Sequence, residues 1–373
     1  MSVDDSTNNV SCEGTERGDG DLFVTVIMPI RNEAAFIERS LRSVMAQDYA
    51  GRLLEVLVVD GMSDDGTREI VRRLISRDAK TSQGPETVLM LDNPSLIVPF
   101  AFNHGLERAR GDVIVRVDGH CEIPTDYVSR CVGQLIQSGA DCAGGVIKTV
   151  GETPAAQFIA VAQSSVFGVG GAAFRTGRTN SGFTDTLAFG AYHRVVFERH
   201  GTFDVEFVRN QDDEFNYRVL HGGGTIWLDP SIEAIYYSRA SLAGLWKQYF
   251  QYGFWKVRVL QKHPLQMRLR QFVPPIFVGF VLLSILAAPL LPAFGYAGFG
   301  LLALYLIALL GSSFSTVRRA GWRGVMVVPL AFVALHWGYG LGFLAGLMKS
   351  WNRWGQDAKD SSGTRANPIE AKE

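Results

Sequence analysis

Apolar runs rich in β-branched residues recur through the first 150 positions, each short enough for a single strand: FVTVIMPI, LEVLVVD, TVLMLD, DVIVRVD and CAGGVIKTV. They lack polar alternation, so they read as strands buried on both faces. Between them the spacing turns helical. Ala35, Ile37, Leu41 and Val44 share a face, as do Ile70, Val71, Leu74 and Ile75. Further helices are predicted over 99–109 and 125–138. Strand–helix alternation of this kind predicts an α/β domain with a mostly parallel sheet covered by helices. Such sheets bind ligands at the carboxyl ends of strands where strand order reverses. Asp60 and Asp118 stand at the ends of the second and fourth runs.

The pattern changes after Gln271. Phe272–Pro292 and Tyr296–Ser315 are apolar stretches of about 20 residues, enough to cross a ~30 Å hydrocarbon layer. A turn at Ala293–Gly295 would pair them as a hairpin. Val325–Met348 is a third apolar stretch, interrupted by Pro329, His336 and several glycines. Three crossings are favoured, with a re-entrant third segment as the alternative. The organisation predicted is a polar tail over 1–21, a catalytic domain over 22–245, an amphipathic interfacial segment over 246–271, a membrane region over 272–348 and a polar tail over 349–373.

Composition narrows the class. Hydrophobic residues make up 47% of the chain and charged residues only 20%, an apolar excess that fits a membrane protein. The 36 basic and 37 acidic residues balance, so no global field directs the chain to nucleic acid. The basic flanks of the hairpin, Lys256, Arg258, Lys262, Arg268 and Arg270 before it and Arg318, Arg319 and Arg323 after it, belong on the cytoplasmic side. Lys349 and Arg353 would lie outside if the third segment crosses. Cys12, Cys121, Cys131 and Cys142 have no Cys-x-x-Cys spacing, which fits a reducing compartment. The polar N-terminus does not read as a signal peptide, so the catalytic domain is expected in the cytoplasm.

Several residues are of types that carry chemistry. Asp118 and His120 in RVDGHC can hold Mg²⁺ or Mn²⁺ against a diphosphate, the imidazole being acceptable to Mn²⁺. The same pair reads as a cap and a surface histidine. Asp60 can accept hydrogen bonds from a base or ribose. Asp212, Asp213 and Glu214 open a helix ending at the glycines 222–224; they either complement its dipole or supply a general base. KQYFQYGFWKVR combines aromatics, amides and cations ahead of the membrane region and reads as an interfacial helix. GVGGAAFRTGRTNSGF, with Arg175 and Arg178, reads as a mobile loop.

Taken in order, VIMPIRNE, VLVVDGMSDDGT, the spaced Asn93-Pro94, Pro99 and Asn103-x-Gly105, ARGDVIVRVDGHC, the Asp212 cluster and QYFQYGFWK resemble glycosyltransferase family 2, in its ExoA-type succinoglycan-biosynthesis branch. The resemblance covers about Phe23 to Trp255. It implies a GT-A (Rossmann-like) fold, a nucleotide-diphospho-sugar donor, a divalent metal and inversion at the anomeric carbon. It places Pro29, Arg31, Asn32 and Glu33 beside the nucleoside and Asp60 on the base. Asp118 and His120 take the metal, with His120 standing where a second Asp is usual. Asp212 falls at the family's base, and the preceding Gln211, where Glu is usual, leaves Asp213 as the alternative. Gln248, Gln251 and Tyr252 come near the donor diphosphate and acceptor. Gln251 stands where an Arg is usual, with Lys256 or Arg258 to replace its charge.

The expected function is transfer of a hexose, with UDP as the nucleotide, to a polyprenyl-diphosphate-linked saccharide in exopolysaccharide or cell-surface glycan synthesis. The expected partners are the nucleotide-sugar, the lipid-linked acceptor, the membrane and other polysaccharide-assembly proteins, but no nucleic acid. The expected place is the inner membrane, multi-pass, with the catalytic domain cytoplasmic. Transfer to polyprenyl phosphate itself and a non-enzymatic membrane partner are the alternatives. An oxidoreductase is disfavoured because no G-x-G-x-x-G follows the first strand.

Overall fold

The computed structural model describes residues 22–50, 53–78, 84–177 and 180–354. The chain ends at 1–21 and 355–373, with Cys12 and Arg178, lie outside the described residues. The apolar runs form β1 (Val24–Ile30), β2 (Leu54–Asp60), β3 (Thr87–Asp92), β4 (Val113–Arg116) and, after the two-residue β5 (Cys121–Glu122), β6 (Cys142–Val150). Between them lie α1 (Ile37–Met45), α2 (Thr67–Asp78), α3 (Val98–Arg108) and α4 (Tyr127–Ser138). Then come α5 (Pro154–Gln163), α6 (Val166–Val169), α7 (Ala173–Thr176), β7 (Gly182–Phe183), β8 (Ala191–His193), α8 (Arg194–His200), α9 (Gln211–His221) and β9 (Ile226–Tyr237).

Among the described residues these strands make one nine-stranded sheet in the order β3-β2-β1-β4-β8-β6-β9-β5, with β7 on β9. β1, β2, β3 and β4 pair in parallel, as do β6 and β9. The sheet is nevertheless mixed: β8 runs antiparallel to both β4 and β6, and β5 and β7 run antiparallel to β9. β1 is buried on both sides. Val24, Val26, Met28 and Ile30 join a cluster with α1, α2 and α4, while Ile27 joins Phe102, Phe197, Phe215 and Val219 of α3, α8 and α9. Burial on both faces is why these strands are continuous apolar runs.

After β9 the chain forms α10 (Leu242–Lys262), α11 (Leu269–Ala287), α12 (Pro292–Ala320) and α13 (Val327–Lys349). The last three are long and apolar enough to cross a membrane. The hairpin turn falls at 288–291 rather than 293–295, because Pro292 opens α12. A proline at the first helical position needs no hydrogen-bonded N–H. Pro329 likewise sits in the first turn of α13 and leaves the helix unbroken through Lys349.

The three apolar helices are not alike. In its most apolar window α13 is 50% buried, against 22% for α11 and 11% for α12. α13 runs parallel to α10. A Cβ on Gly342 would lie 2.0 Å from the Phe250 carbonyl oxygen, and one on Gly253 would lie 2.0 Å from that of Tyr339. Only glycine lets the two backbones approach so closely. Both ends of α13 reach the α/β domain. Phe332 and Leu335 pack with Phe158 and Ile159 of α5, and the His336 ring bonds the Phe167 carbonyl at 2.8 Å. At the far end Ser350 O accepts from Gln261 at 2.7 Å, and Arg353 pairs with Glu206 at 3.0 Å.

This packing predicts that Gly342→Leu lowers the stability of the detergent-solubilised protein by about 1–3 kcal/mol, the usual cost of overpacking. Gly300→Leu, where a Cβ meets nothing within 4 Å, should leave it unchanged. Thermal unfolding of both variants checks the pair.

Candidate active site

β1 has β2 on one side and β4 on the other, so the strand order reverses beside its carboxyl end. A cavity of about 1210 Å³ opens at this point. Pro29, Arg31, Asn32 and Glu33 line it from the end of β1 and the turn that follows, and Arg116, Asp118 and His120 from β4 and its exit. Gln211, Asp212 and Asp213 reach it from the first turn of α9, and Gln248, Tyr252 and Lys256 from α10. It continues to Val273, Phe277, Leu304 and Tyr305 of the α11–α12 hairpin. Five described non-glycine residues have positive φ, and four of them, Asn32, Leu96, Phe189 and Asn210, line this cavity. Backbone strain of this kind is held where a site needs it. At Asn210 the left-handed residue immediately precedes α9 and turns its acidic first turn toward β4.

Arg116 is buried between two of the acids. Its Nε and Nη2 donate to Asp118 at 2.8 and 3.1 Å, and its Nη1 lies 3.7 Å from Asp212. Burial pulls the guanidinium pKa down, but Asp118 and Asp212 outweigh it and hold the group above its ordinary value. Asp212 is raised above the usual Asp value. Burial is the main cause, Arg116 opposes it, and the neighbouring Asp213 adds to it. Asp213 is engaged differently: it takes the ammonium of Lys256 and, at 2.7 Å, the amide of Gln266. Asp212 thus keeps an oxygen toward the cavity that no close partner claims, whereas Asp213 is tied to α10 and the segment after it.

Other expected residues are placed elsewhere. Asp60 is fully buried, and its oxygens are taken by the Ser63 hydroxyl and Arg68 at 2.5 Å each and by the Ser63 N–H at 3.0 Å. It does not line the cavity, because Arg68, eight residues on, folds back to neutralise it. Gln251 points away as well and accepts from Arg209 at 3.2 Å. Arg258 is turned to Glu206 at 2.8 Å, which leaves Lys256 as the cation of that pair on the cavity wall. Glu206, buried in part and gripped by Arg258 and Lys262, is held down to about 2. The glycine-rich stretch folds into α6 and α7 and brings Arg175 to the cavity, where a mobile loop was expected. Arg116 and Tyr236 are lining residues that pattern analysis passed over, and Arg175 and Gln211 are ones it named without giving them a place at the site. An arginine inside the buried run DVIVRVD was the available signal for the first.

Asp118 and His120 offer a carboxylate and an imidazole at one cavity wall, and His120 Nδ1 is held by Glu33 at 2.8 Å. Among the described residues no group of three His, Cys, Asp or Glu side chains could hold a metal. An ion there would have at most these two side chains as ligands, with Asp118 also shared with Arg116, and would take its remaining positions from phosphate oxygens or water.

Comparison with known proteins agrees with this geometry. Residues 25–201 match the model of glycosyl transferase family 2. The chain is 35% identical over 264 residues to the succinoglycan biosynthesis protein ExoA of Rhizobium meliloti, covering 69% of this chain and 77% of that one. It is 26% identical over 333 residues to a dolichyl N-acetyl-alpha-D-glucosaminyl phosphate 3-beta-D-2,3-diacetamido-2,3-dideoxy-beta-D-glucuronosyltransferase of Methanococcus voltae, covering 88% and 98%. Among solved structures it resembles a mannosyltransferase from Pyrobaculum calidifontis in complex with GDP-Man and Mn²⁺, with TM-score 0.53 at 19% identity, over 84% of this chain and 86% of that one; that likeness is one of fold. A mixed, largely parallel GT-A sheet with a cavity holding Asp118 and Asp212 at its switch point, joined to similarity over most of a family member's length, makes this chain a member of glycosyltransferase family 2.

Proposed function

We propose that this glycosyltransferase moves a hexose from UDP-hexose to a polyprenyl-diphosphate-linked saccharide, with inversion at the anomeric carbon. The observation that carries the reading is the cavity's course. It joins the acids at the end of the sheet to apolar side chains of the α11–α12 hairpin, so one ligand can be both a sugar and a lipid. The relative from Methanococcus voltae is named for a lipid-phosphate-linked sugar, in keeping with this.

In this reading Asn32, Glu33 and their neighbours border the donor nucleoside. Asp212 takes the proton of an acceptor hydroxyl, which attacks the anomeric carbon as the bond to the diphosphate breaks and the electron pair leaves with the nucleotide. Arg116 orients Asp118 and Asp212 together, and Lys256 fixes Asp213 beside them. A divalent ion held by Asp118 and His120 would neutralise the leaving diphosphate. Asp212 is suited to the task because burial raises its basicity while Arg116 opposes that rise.

We read the membrane topology from the packing of α13. With both ends on the α/β domain, α13 lies along that domain's membrane-facing side, and the exposed α11–α12 hairpin alone crosses the inner membrane. Arg268, Arg270, Arg318, Arg319, Arg323, Lys349 and Arg353 then all lie on the cytoplasmic side with the catalytic domain, which removes the conflict with the positive-inside tendency.

Three outcomes test this reading. Asp212→Asn should lower sugar transfer by about 10²–10⁴-fold, the usual range for loss of a general base, with UDP binding retained. Asp213→Asn should cost less. The base must be deprotonated, so kcat/KM should fall as pH drops through a midpoint above the ordinary Asp value of 3.8, and the pH profile of the wild type checks this. Reporters fused before Met1 and after Glu373 should lie on the same side of the membrane, with Leu290→Cys labelled from the other. Opposite-sided reporters would restore a third crossing.

A further inference from the structure

Between the acids and the hairpin, the cavity wall carries a cation that the mechanism above leaves unused. Arg175 sits on α7, and its Nη1 is buried with no hydrogen-bond partner. No carboxylate among the described residues pairs with it. Its guanidinium instead lies 5.4 Å from the Tyr236 ring and 5.5 Å from the Phe174 ring. Aromatic faces hold a guanidinium in place and leave its N–H groups available. Asp212 acts on the Arg175 guanidinium through space without forming an ion pair, and a buried N–H left without a partner in a cavity calls for an acceptor such as an anion in the working complex.

The neighbouring polar atoms describe the rest of that ligand. Gln211 Oε1, Gln248 Oε1 and the Tyr339 hydroxyl line the same cavity and are likewise buried without partners. Amide oxygens left in this state call for hydroxyl donors. The wall beyond them is apolar: Val273 and Phe277 of α11 and Leu301, Leu304 and Ala308 of α12. One cavity therefore brings together the acids, these unpartnered amide oxygens, the Arg175 guanidinium beside Tyr236 and the hydrocarbon of the hairpin.

We infer that Arg175 binds the phosphate nearest the sugar of a lipid-linked acceptor, with the isoprenoid chain leaving between α11 and α12. This rests on the lipid-acceptor reading above and adds to it the residue that recognises the acceptor's charge. The donor's diphosphate is assigned to the Asp118 end, so Arg175 separates the two anions by role. A planar guanidinium suits phosphate oxygens, which it can meet with two parallel N–H bonds.

Binding of simple probes to the full-length detergent-solubilised enzyme tests this without turnover, so a failure here is distinct from a failure of the transferase reading. The probes are farnesyl phosphate, farnesol, inorganic phosphate, and UDP with Mn²⁺. Farnesyl phosphate should bind the wild type more tightly than farnesol or inorganic phosphate. Arg175→Gln should weaken farnesyl phosphate binding at least tenfold and leave farnesol and UDP binding within about twofold, with Arg175→Lys recovering part of the loss. Ala308→Trp, which obstructs the chain's path, should weaken farnesol and farnesyl phosphate alike but not UDP. Equal binding of farnesyl phosphate to wild type and Arg175→Gln would overturn the assignment. So would loss of UDP binding in folded Arg175→Gln, which would move Arg175 to the donor, or failure of farnesyl phosphate to bind the wild type at all.

Discussion

Arg116 is the charge around which the site is assembled. It is an arginine inside a buried strand, which no sheet tolerates unless the charge is answered. Asp118, two residues past the end of that strand, accepts two hydrogen bonds from it, and Asp212 comes from α9 to complete the balance. The consequence is spatial. A side chain at the end of β4 and one about a hundred residues later are held at one cavity wall, and their two negative charges remain close because a cation lies between them. Remove the guanidinium and the acids would repel each other, raising the proton affinity of both.

The second constraint is α10. It touches both Asp213 and the apolar helix α13. Lys256 reaches Asp213, Arg258 and Lys262 reach Glu206, and Gly253 lets α13 lie against its backbone. Ion pairs from α10 thereby tie Asp213 and Glu206 to the helix whose backbone lies against α13. In the proposed reading, an enzyme built this way would meet a lipid-borne acceptor in two dimensions, where its effective concentration is high.

Much of this was legible in the sequence. β1 to β4 and β6 were plain because burial on both faces leaves only apolar residues in a strand. The cavity residues Pro29, Asn32, Glu33, Asp118, His120 and Asp212 were found from motif and strand-end position, since the switch point lies where parallel strands end. β7 and β8 were missed because two or three residues carry no period, and β9 because its outward positions are polar at irregular intervals. Asp60 is a different case: its place on the base was an expectation from the resemblance, and the fold pairs it with Arg68. A carboxylate at a strand end looks the same whether a ligand or an arginine from the next helix satisfies it, and only the fold brings Arg68 to it. Arg175 was hidden by its glycine-rich surroundings, which suggested mobility. The glycines instead supply the positive φ values that end α6 and α7.

The central claim is that an acceptor carried by the membrane completes the reaction at the Asp212 site. Its most direct test is nucleotide diphosphate release by the purified enzyme from a panel of nucleotide sugars with Mn²⁺, measured with and without a bacterial membrane lipid extract. The account predicts that one donor gives release that rises sharply when lipid is added and that label from the sugar moves into the organic phase. Release that is indifferent to lipid, with label remaining in water, would contradict it.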